Sequence, residues 1–346
     1  LSIFLRQTFF LNIQNRLFLL RERLLAKEEQ AAKHPVIIDE VQKVPQVLDE
    51  VHWLIENQGI NFILCGSSAR KLKRGQANLL GGRAWRFELF PLISKEIENL
   101  DLLRALNHGL IPVHYQQNNY QRSLRGYVQD YLKEEVLQEG LTRNIPAFSR
   151  FFEAMGYAHG TLINYTNIAR ECGVSSKTVK EYYQILVDTL LGTFVLPFKK
   201  KQERQVISKA PKFYLFDTGV AGSIVRRTIA KEKGEMFGNA FEHFIYLEML
   251  AHSSYHEINY EINFWRTKSG QEVDFVLGRG EVAVEVKGSK MVDKRSLRPM
   301  KSFIELYAPR QAIVVCNETE ERFHSGIKIM PWRIFLLKLW QDEIIR

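Results

Sequence analysis

Cysteine is scarce: Cys65, Cys172 and Cys316 lie far apart, with no C-x-x-C spacing. That excludes a disulfide-stapled scaffold and a thiolate zinc knuckle, and it points to a reducing cytosol, a cytoplasmic location. No apolar run approaches the roughly 20 residues needed to cross a bilayer, so no membrane partner is expected. The opening LSIFLRQTFFLNIQNRLFLL is hydrophobic, but Arg6, Asn12, Asn15 and Arg16 interrupt it and a small-residue cleavage site is missing, which excludes a secretory signal. Internal repeats and low-complexity tracts are absent as well. What remains is a globular composition, 45% apolar and 25% charged over 346 residues, long enough for two or three domains. The net charge of +9 fits a nucleic acid or another polyanion, and equally a generic basic protein. The chain starts at Leu1 rather than methionine, and the expectation is a fragment whose N-terminus lies upstream.

Three regions separate by pattern. Residues 1–99 alternate short apolar strands with polar helical stretches, in FFLNI, VIIDE, DEVHWLIENQ, NFILCGSS and WRFELFPL, which predicts a parallel sheet covered by helices. Residues 100–200 are helical by period, as in SLRGYVQDYLKEEVLQEG. In residues 201–346 strands return, in EINFWRT, EVDFVLG, VAVEVKG and RQAIVVCN, with GNAFEHFIYLEMLAHS between them as a helix. The fold class is therefore α/β.

VIIDE has the form of a Walker B strand: a buried parallel strand delivers Asp39 at its carboxyl end, where open α/β sheets bind ligands. An aspartate there can hold Mg²⁺, and Glu40 can orient an attacking water. NFILCGSS repeats the design and ends in Ser67 and Ser68, where a γ-phosphate sensor would sit, and LLGGRAWRFELFPL supplies Arg83 and Arg86. Over this stretch the chain resembles the core of prokaryotic AAA-type ATPases of the archaeal-ATPase-like group, whose usual partner is a C-terminal domain of unknown function. PKFYLFDTGVAGSI and GEMFGNAFEHFIYLEML resemble segments of that second domain. The resemblance implies ATP and Mg²⁺ as cofactors, Asp39 and Glu40 as the Walker B pair, Ser67 or Ser68 as sensor and Arg83 as arginine finger. One departure is large. A P-loop needs G-x-x-x-x-G-K-[ST], and this sequence contains no Gly-Lys pair. The family places that loop before FFLNI, so ATP is a partner only if an upstream phosphate loop exists.

LINYTNIARECGVSSKTVKEYYQIL (162–186) carries a helix-turn-helix pattern. Ala169 packs inward, Gly173 allows the tight turn, Val174 seals the corner and Ser175 caps the second helix. That helix would present Ser176, Lys177, Thr178 and Lys180, side chains able to contact DNA phosphates or base edges. LLGTFVLPF after it is expected as the wing of a winged helix. A packing role and a DNA-binding role stay open, two lysines being modest for a strong DNA reader.

GQEVDFVLGRGEVAVEVKGS is the most chemically suggestive stretch. Asp274 lies in one strand, and Glu285 and Lys287 alternate in the next, so the latter two share a face. Asp274 and Glu285 would hold Mg²⁺, Lys287 would activate water or stabilise charge on phosphorus, and Glu242 on the preceding helix would complete the metal shell. The arrangement resembles the PD-(D/E)xK nuclease superfamily, which implies a restriction-endonuclease-like domain. A solvated amphipathic hairpin is the bland alternative, but both acids are flanked by apolar residues, and a buried unpaired carboxylate is costly. His252 and His256, at i and i+4 near a helix end, are expected as surface histidines, and Phe237, Phe241, Phe244 and Tyr246 as core. Three functions follow: an AAA-type ATPase with a nuclease-like C-terminal domain, a metal-dependent DNA endonuclease with a vestigial first domain, or a non-catalytic protein that binds a protein partner or another copy of itself.

Overall fold

The structure is a computed structural model that describes residues 18–26, 33–41, 44–66, 84–132, 144–199 and 210–346. The chain divides into two compact units, one formed by the described residues of Leu1–Arg86 with Leu186–Leu190, the other by Phe87–Ile185 with Leu191–Arg346.

The first unit contains helix α1 (Phe18–Leu25), strand β1 (Val36–Ile38), helix α2 (Val47–Gln58) and strand β2 (Phe62–Leu64). β1 and β2 pair in parallel, Val36 with Phe62 and Ile38 with Leu64, so α2 is the crossover of a βαβ unit. Its buried residues Val47, Leu48, Val51 and Leu54 recur at helical spacing and pack with Leu20, Leu24, Val36 and Ile38. α2 stops at Gly59, whose φ of 62° lets its N–H turn back to the Ile55 and Leu54 carbonyls. Arg21 stacks 3.8 Å from the centre of the Trp53 ring and bonds Glu50 at 2.8 Å, fixing α1 to α2. WRFELFPL forms no strand with the described residues, and its Trp85, Phe87 and Leu89 are exposed.

In the second unit, helices α3 (Leu102–His108), α4 (Pro112–Gln116), α5 (Tyr120–Gly126), α6 (Ile145–Ala158), α7 (Tyr165–Cys172) and α8 (Ser176–Asp188) precede β3 (Gly192–Pro197) and β4 (Lys212–Leu215). There follow α9 (Thr218–Ile224), α10 (Glu235–Tyr255), β5 (Ile262–Arg266), β6 (Glu272–Leu277), β7 (Val282–Lys287), α11 (Arg298–Tyr307), β8 (Gln311–Cys316), β9 (Arg322–His324), β10 (Ile327–Pro331) and α12 (Trp332–Leu339). One mixed sheet runs β4-β3-β5-β6-β7-β8-β10-β9, with β3/β5, β7/β8 and β8/β10 parallel.

The near-continuous apolar composition of β7 and β8 follows from burial on both faces. Val282, Val284, Ile313 and Val315 pack with Phe241, Phe244 and Phe335 of α10 and α12, while Ala283, Ala312 and Val314 pack with Met300 and Phe303 of α11. Phe237 and Tyr246 are likewise buried.

The expected wing does not form. Gly192–Pro197 is a strand of the main sheet, antiparallel to β4 and parallel to β5, because its alternating apolar residues find a larger core there than a lone hairpin would. The FDTG segment is architectural. Asp217, fully buried, caps α9 by accepting the Val220 N–H at 2.8 Å and holds the Leu110 N–H at 2.6 Å. A Cβ at Gly109 would lie 2.1 Å from the Asp217 carboxylate, so only glycine fits there.

Candidate active site

Strand β6 carries an extra residue relative to β5: Asn263 pairs with Val276 but Trp265 with Val273, which leaves a bulge at Asp274–Phe275. On the other side, the β6–β7 ladder ends at Phe275↔Val284. Asp274 therefore sits where both neighbouring ladders give way, one step beyond that last pair and opposite Glu285.

The two carboxylates replace the missing backbone bonds. Asp274 Oδ2 accepts the Val286 N–H at 2.8 Å, and Glu285 Oε2 accepts the Asp274 N–H at 3.2 Å. Both residues are buried, at 8% and 5% exposure. Lys287 Nζ lies 2.5 Å from Glu285 Oε1 and keeps a third of its side chain in solvent, which makes the site reachable.

Residues that the sequence reading missed complete the cluster. Lys212 is 3% exposed and bridges Glu272 at 2.6 Å and Glu242 at 3.4 Å. The Tyr214 hydroxyl also donates to Glu242, and Arg266 pairs with Glu272 at 2.5 Å. The signal was present, since KFYL alternates Lys212 and Tyr214 onto one face of a strand and Glu272 lies two residues before Asp274.

Among the described residues, Arg266 pairs with Glu272, and three further carboxyls (Glu242, Asp274 and Glu285) gather around Lys212 and Lys287. Burial, and then the Glu285 and Glu242 charges, hold the Asp274 carboxyl well above the usual range. Burial also raises Glu285, against the lowering pull of Lys287. Lys212 and Lys287 are raised despite their burial, because the surrounding carboxylates favour their charged forms. One residue past Lys287, a depression of about 430 Å³ is lined by Lys231, Lys233 and Lys290 with Glu232, Gly288 and Ser289.

Glu242 departs from its expected place. It is turned onto Tyr214 and Lys212, and its ligand oxygens do not come within 4.8 Å of those of both Asp274 and Glu285. A different trio does meet that span: His252, His256 and Asp342. His252 is fully buried, which corrects the expectation of a surface histidine. The helix runs past the serines into the core, and Trp340 and Tyr260 close over the ring.

In the first unit, Asp39 and Glu40 follow β1 at the carboxyl edge of the parallel pair. The Cys65 N–H bonds the Ile38 carbonyl at 2.9 Å and the Val41 N–H bonds the Cys65 carbonyl at 3.0 Å, so Asp39 lies beside the end of β2. The Cys65 thiol is pushed up by burial and by the Asp39 charge. Asp39 is exposed and accepts the Glu40 N–H at 2.9 Å, while Glu40 holds a left-handed φ of 53°. Ser67, Ser68 and Arg83 lie outside the described residues.

The helix-turn-helix geometry is present in α7 and α8. Gly173 has φ 68°, Val174 N–H bonds the Ala169 carbonyl at 3.0 Å, and Ser175 Oγ accepts the Thr178 N–H at 3.1 Å. Lys177 and Lys180 are exposed and Ser176 is half-buried, but the Thr178 hydroxyl is engaged by Ser175, and Lys180 lies over the Tyr165 ring.

Residues 4–98 match the family model described as an AAA domain, so over its first part the chain is similar to AAA-type ATPases. Residues 99–230 and 237–335 match two domains of unknown function, DUF8612 and DUF4143. Among individual relatives, an uncharacterized protein of Mycobacterium tuberculosis and one of Mycobacterium bovis are each 24% identical over 321 residues, which is 90% of this chain and 71% of theirs. No solved structure matches. Among the described residues, no helix is long and apolar enough to cross a membrane.

Proposed function

We propose that this AAA-type ATPase-like protein carries, in its C-terminal region, a Mg²⁺-dependent site that hydrolyses phosphodiester bonds of DNA. One observation carries the reading: two carboxyls buried face to face at a β-bulge, beside a lysine that keeps a third of its side chain in solvent. Two carboxyls held together in the interior cost stability and disfavour each other's ionised form, a cost that a bound dication offsets and a purely structural role does not explain.

The donor set fits a hard divalent cation, which prefers carboxylate oxygens. Asp274 and Glu285 would hold it, flanked by Glu242. When bound, the ion lowers the pKa of its water and offsets charge on phosphorus. The protein's own groups do the rest. The Val286 and Asp274 amides fix the two carboxylates in place. Lys287, paired with Glu285 and one-third exposed, would give a scissile phosphate a positive partner beside the carboxylates. Lys212 holds Glu242 and Glu272 and keeps the wall of the site in place. Lys231, Lys233 and Lys290 offer a run of positive charge for the flanking backbone.

An AAA-type region also implies ATP with Mg²⁺. Asp39 and Glu40 fit the metal and water side of such a site by their place at the strand edge. The phosphate cradle has no counterpart in these 346 residues, since no Gly-Lys pair occurs, and the chain by itself does not fit ATP.

The test is nicking of supercoiled DNA in Mg²⁺ or Mn²⁺ by the purified chain. Asp274→Asn keeps an acceptor for the Val286 N–H, and Lys287→Ala alters a side chain that is one-third exposed, so both variants should fold. Each is expected to lower the rate by about a hundredfold or more. A wild-type chain without activity, or variants that cut as fast as wild type, overturns the reading.

A further inference from the structure

The end of α10 holds a second cluster that the phosphodiester site does not use. His252 lies in the last turn of α10 and His256 caps it, one helical turn apart on the same side. Asp342, in a left-handed turn (φ 58°) just after α12, points its Oδ1 between them, 3.0 Å from His252 Nε2 and 2.7 Å from His256 Nδ1. The three ligand atoms all lie within 4.8 Å of one another.

The protons around His252 are the informative detail. The Tyr260 hydroxyl donates its single hydrogen to the Met249 carbonyl at 2.7 Å. The Tyr260 oxygen, 3.2 Å from His252 Nδ1, is then left as an acceptor, so Nδ1 must carry the proton. In a neutral ring this leaves Nε2 as a bare lone pair, facing the Asp342 carboxylate at 3.0 Å. Two acceptors face each other unless a positive species lies between them. A metal ion held by the Nε2 lone pair and the carboxylate fills that place, and the nearby His256 Nδ1 adds a third ligand atom. The chain from Nδ1–H to hydroxyl to carbonyl is the kind of outer support that fixes a ligating histidine's tautomer.

We propose that His252, His256 and Asp342 form a site for a transition-metal ion of the zinc class, tying the end of α10 to the turn after α12. Two imidazoles and one carboxylate select zinc, cobalt or nickel over the hard cations suited to Asp274 and Glu285. Ligand separations of 2.7 and 3.0 Å need only a small opening to accept metal bonds of roughly 2.0–2.2 Å. A fourth position is open, because the cluster borders a depression of about 570 Å³ lined by Tyr255, Ile258, Gln341 and Arg346. His252 is ten residues beyond Glu242 on α10, roughly 15 Å along the helix, which separates the two sites.

The experiment titrates the metal-stripped chain with Zn²⁺ by calorimetry, and with Co²⁺ by visible absorption, in excess Mg²⁺ to occupy the carboxylate site. One ion per chain is expected, with the intensified Co²⁺ bands of low coordination, and with a raised melting temperature. His256→Ala and Asp342→Asn, both at partly exposed positions, should each weaken binding by at least tenfold. Tyr260→Phe touches no ion yet removes the acceptor for Nδ1–H, and it should weaken binding by about 10–100-fold. Circular dichroism checks that each variant is folded. No binding in the wild type, or binding unchanged in folded His256→Ala and Asp342→Asn, overturns the proposal and leaves a hydrogen-bonded clamp. DNA nicking by the wild type does not bear on this outcome, so the two readings fail separately.

Discussion

His243 donates its Nε2–H to the Leu215 carbonyl at 2.7 Å, and its Nδ1 is buried without a hydrogen-bond partner. Burial pushes the ring's pKa down to about 3, with Arg227 adding to the shift. His159, whose ring centre lies 4.3 Å away, is lowered well below its ordinary value by the same burial, and by its closeness to the His243 ring and the Arg227 charge. Both rings are neutral in the fold and become cationic when unfolded in mild acid. Between their unfolded pKa near 6.5 and the lower folded values, the unfolded chain binds more protons, so stability rises with pH across that window. It is fully present above about pH 6.5 and lost as pH falls, with a slope of up to about 1.4 kcal/mol per pH unit for each ring. Urea midpoints measured from pH 4 to pH 7.5 should fall steeply on the acid side, and His243→Gln should flatten the curve by about half. An unchanged slope in that variant would show that other groups control acid unfolding.

At the scale of elements, the β6–β7 hairpin and the α7–α8 turn were legible in the sequence because short-range physics decides them. Alternation placed Glu285 and Lys287 together, and Gly173 with Ser175 marked the turn and cap. Replacing Ser175 by Ala removes the acceptor for the Thr178 N–H, at a cost of about 0.5–2 kcal/mol, and Ser175→Asp should recover most of it. Thermal unfolding reads the difference, and equal stability of all three chains would show that the cap is idle. What stayed hidden depends on contacts far apart in sequence. Lys212 reaches Glu272 across sixty residues, and His252 meets Asp342 across ninety, distances over which periodicity carries no information. The strand 192–197 was misplaced as a wing for the same reason: its sequence says strand, but only the tertiary core says which sheet. Bulges are equally invisible, and the one at Asp274 is what sets that carboxylate against Glu285.

For the whole molecule, the first unit resembles an ATPase while the chemistry best supported by side chains lies in the second. The Asp39–Glu40 edge supplies two negative charges and, in these 346 residues, no Gly-Lys loop to neutralise a triphosphate. A ligand bearing about four negative charges meets repulsion there unless Mg²⁺ bridges it, and the bridge alone lacks the amide cradle that gives such sites their affinity. The 346-residue chain should therefore show no rise in melting temperature with millimolar Mg²⁺-ATP, and nicking at the Asp274 site should proceed at the same rate with and without ATP. Asp274, Glu285 and Lys287, on which that site depends, all lie within β6 and β7, and the site requires no nucleotide. A clear thermal shift with ATP that disappears in Asp39→Asn would show that the two acids bind nucleotide with partners other than a lysine-bearing loop. A nicking rate that rises several-fold with ATP would show, in addition, that the nucleotide state of the first unit controls the second.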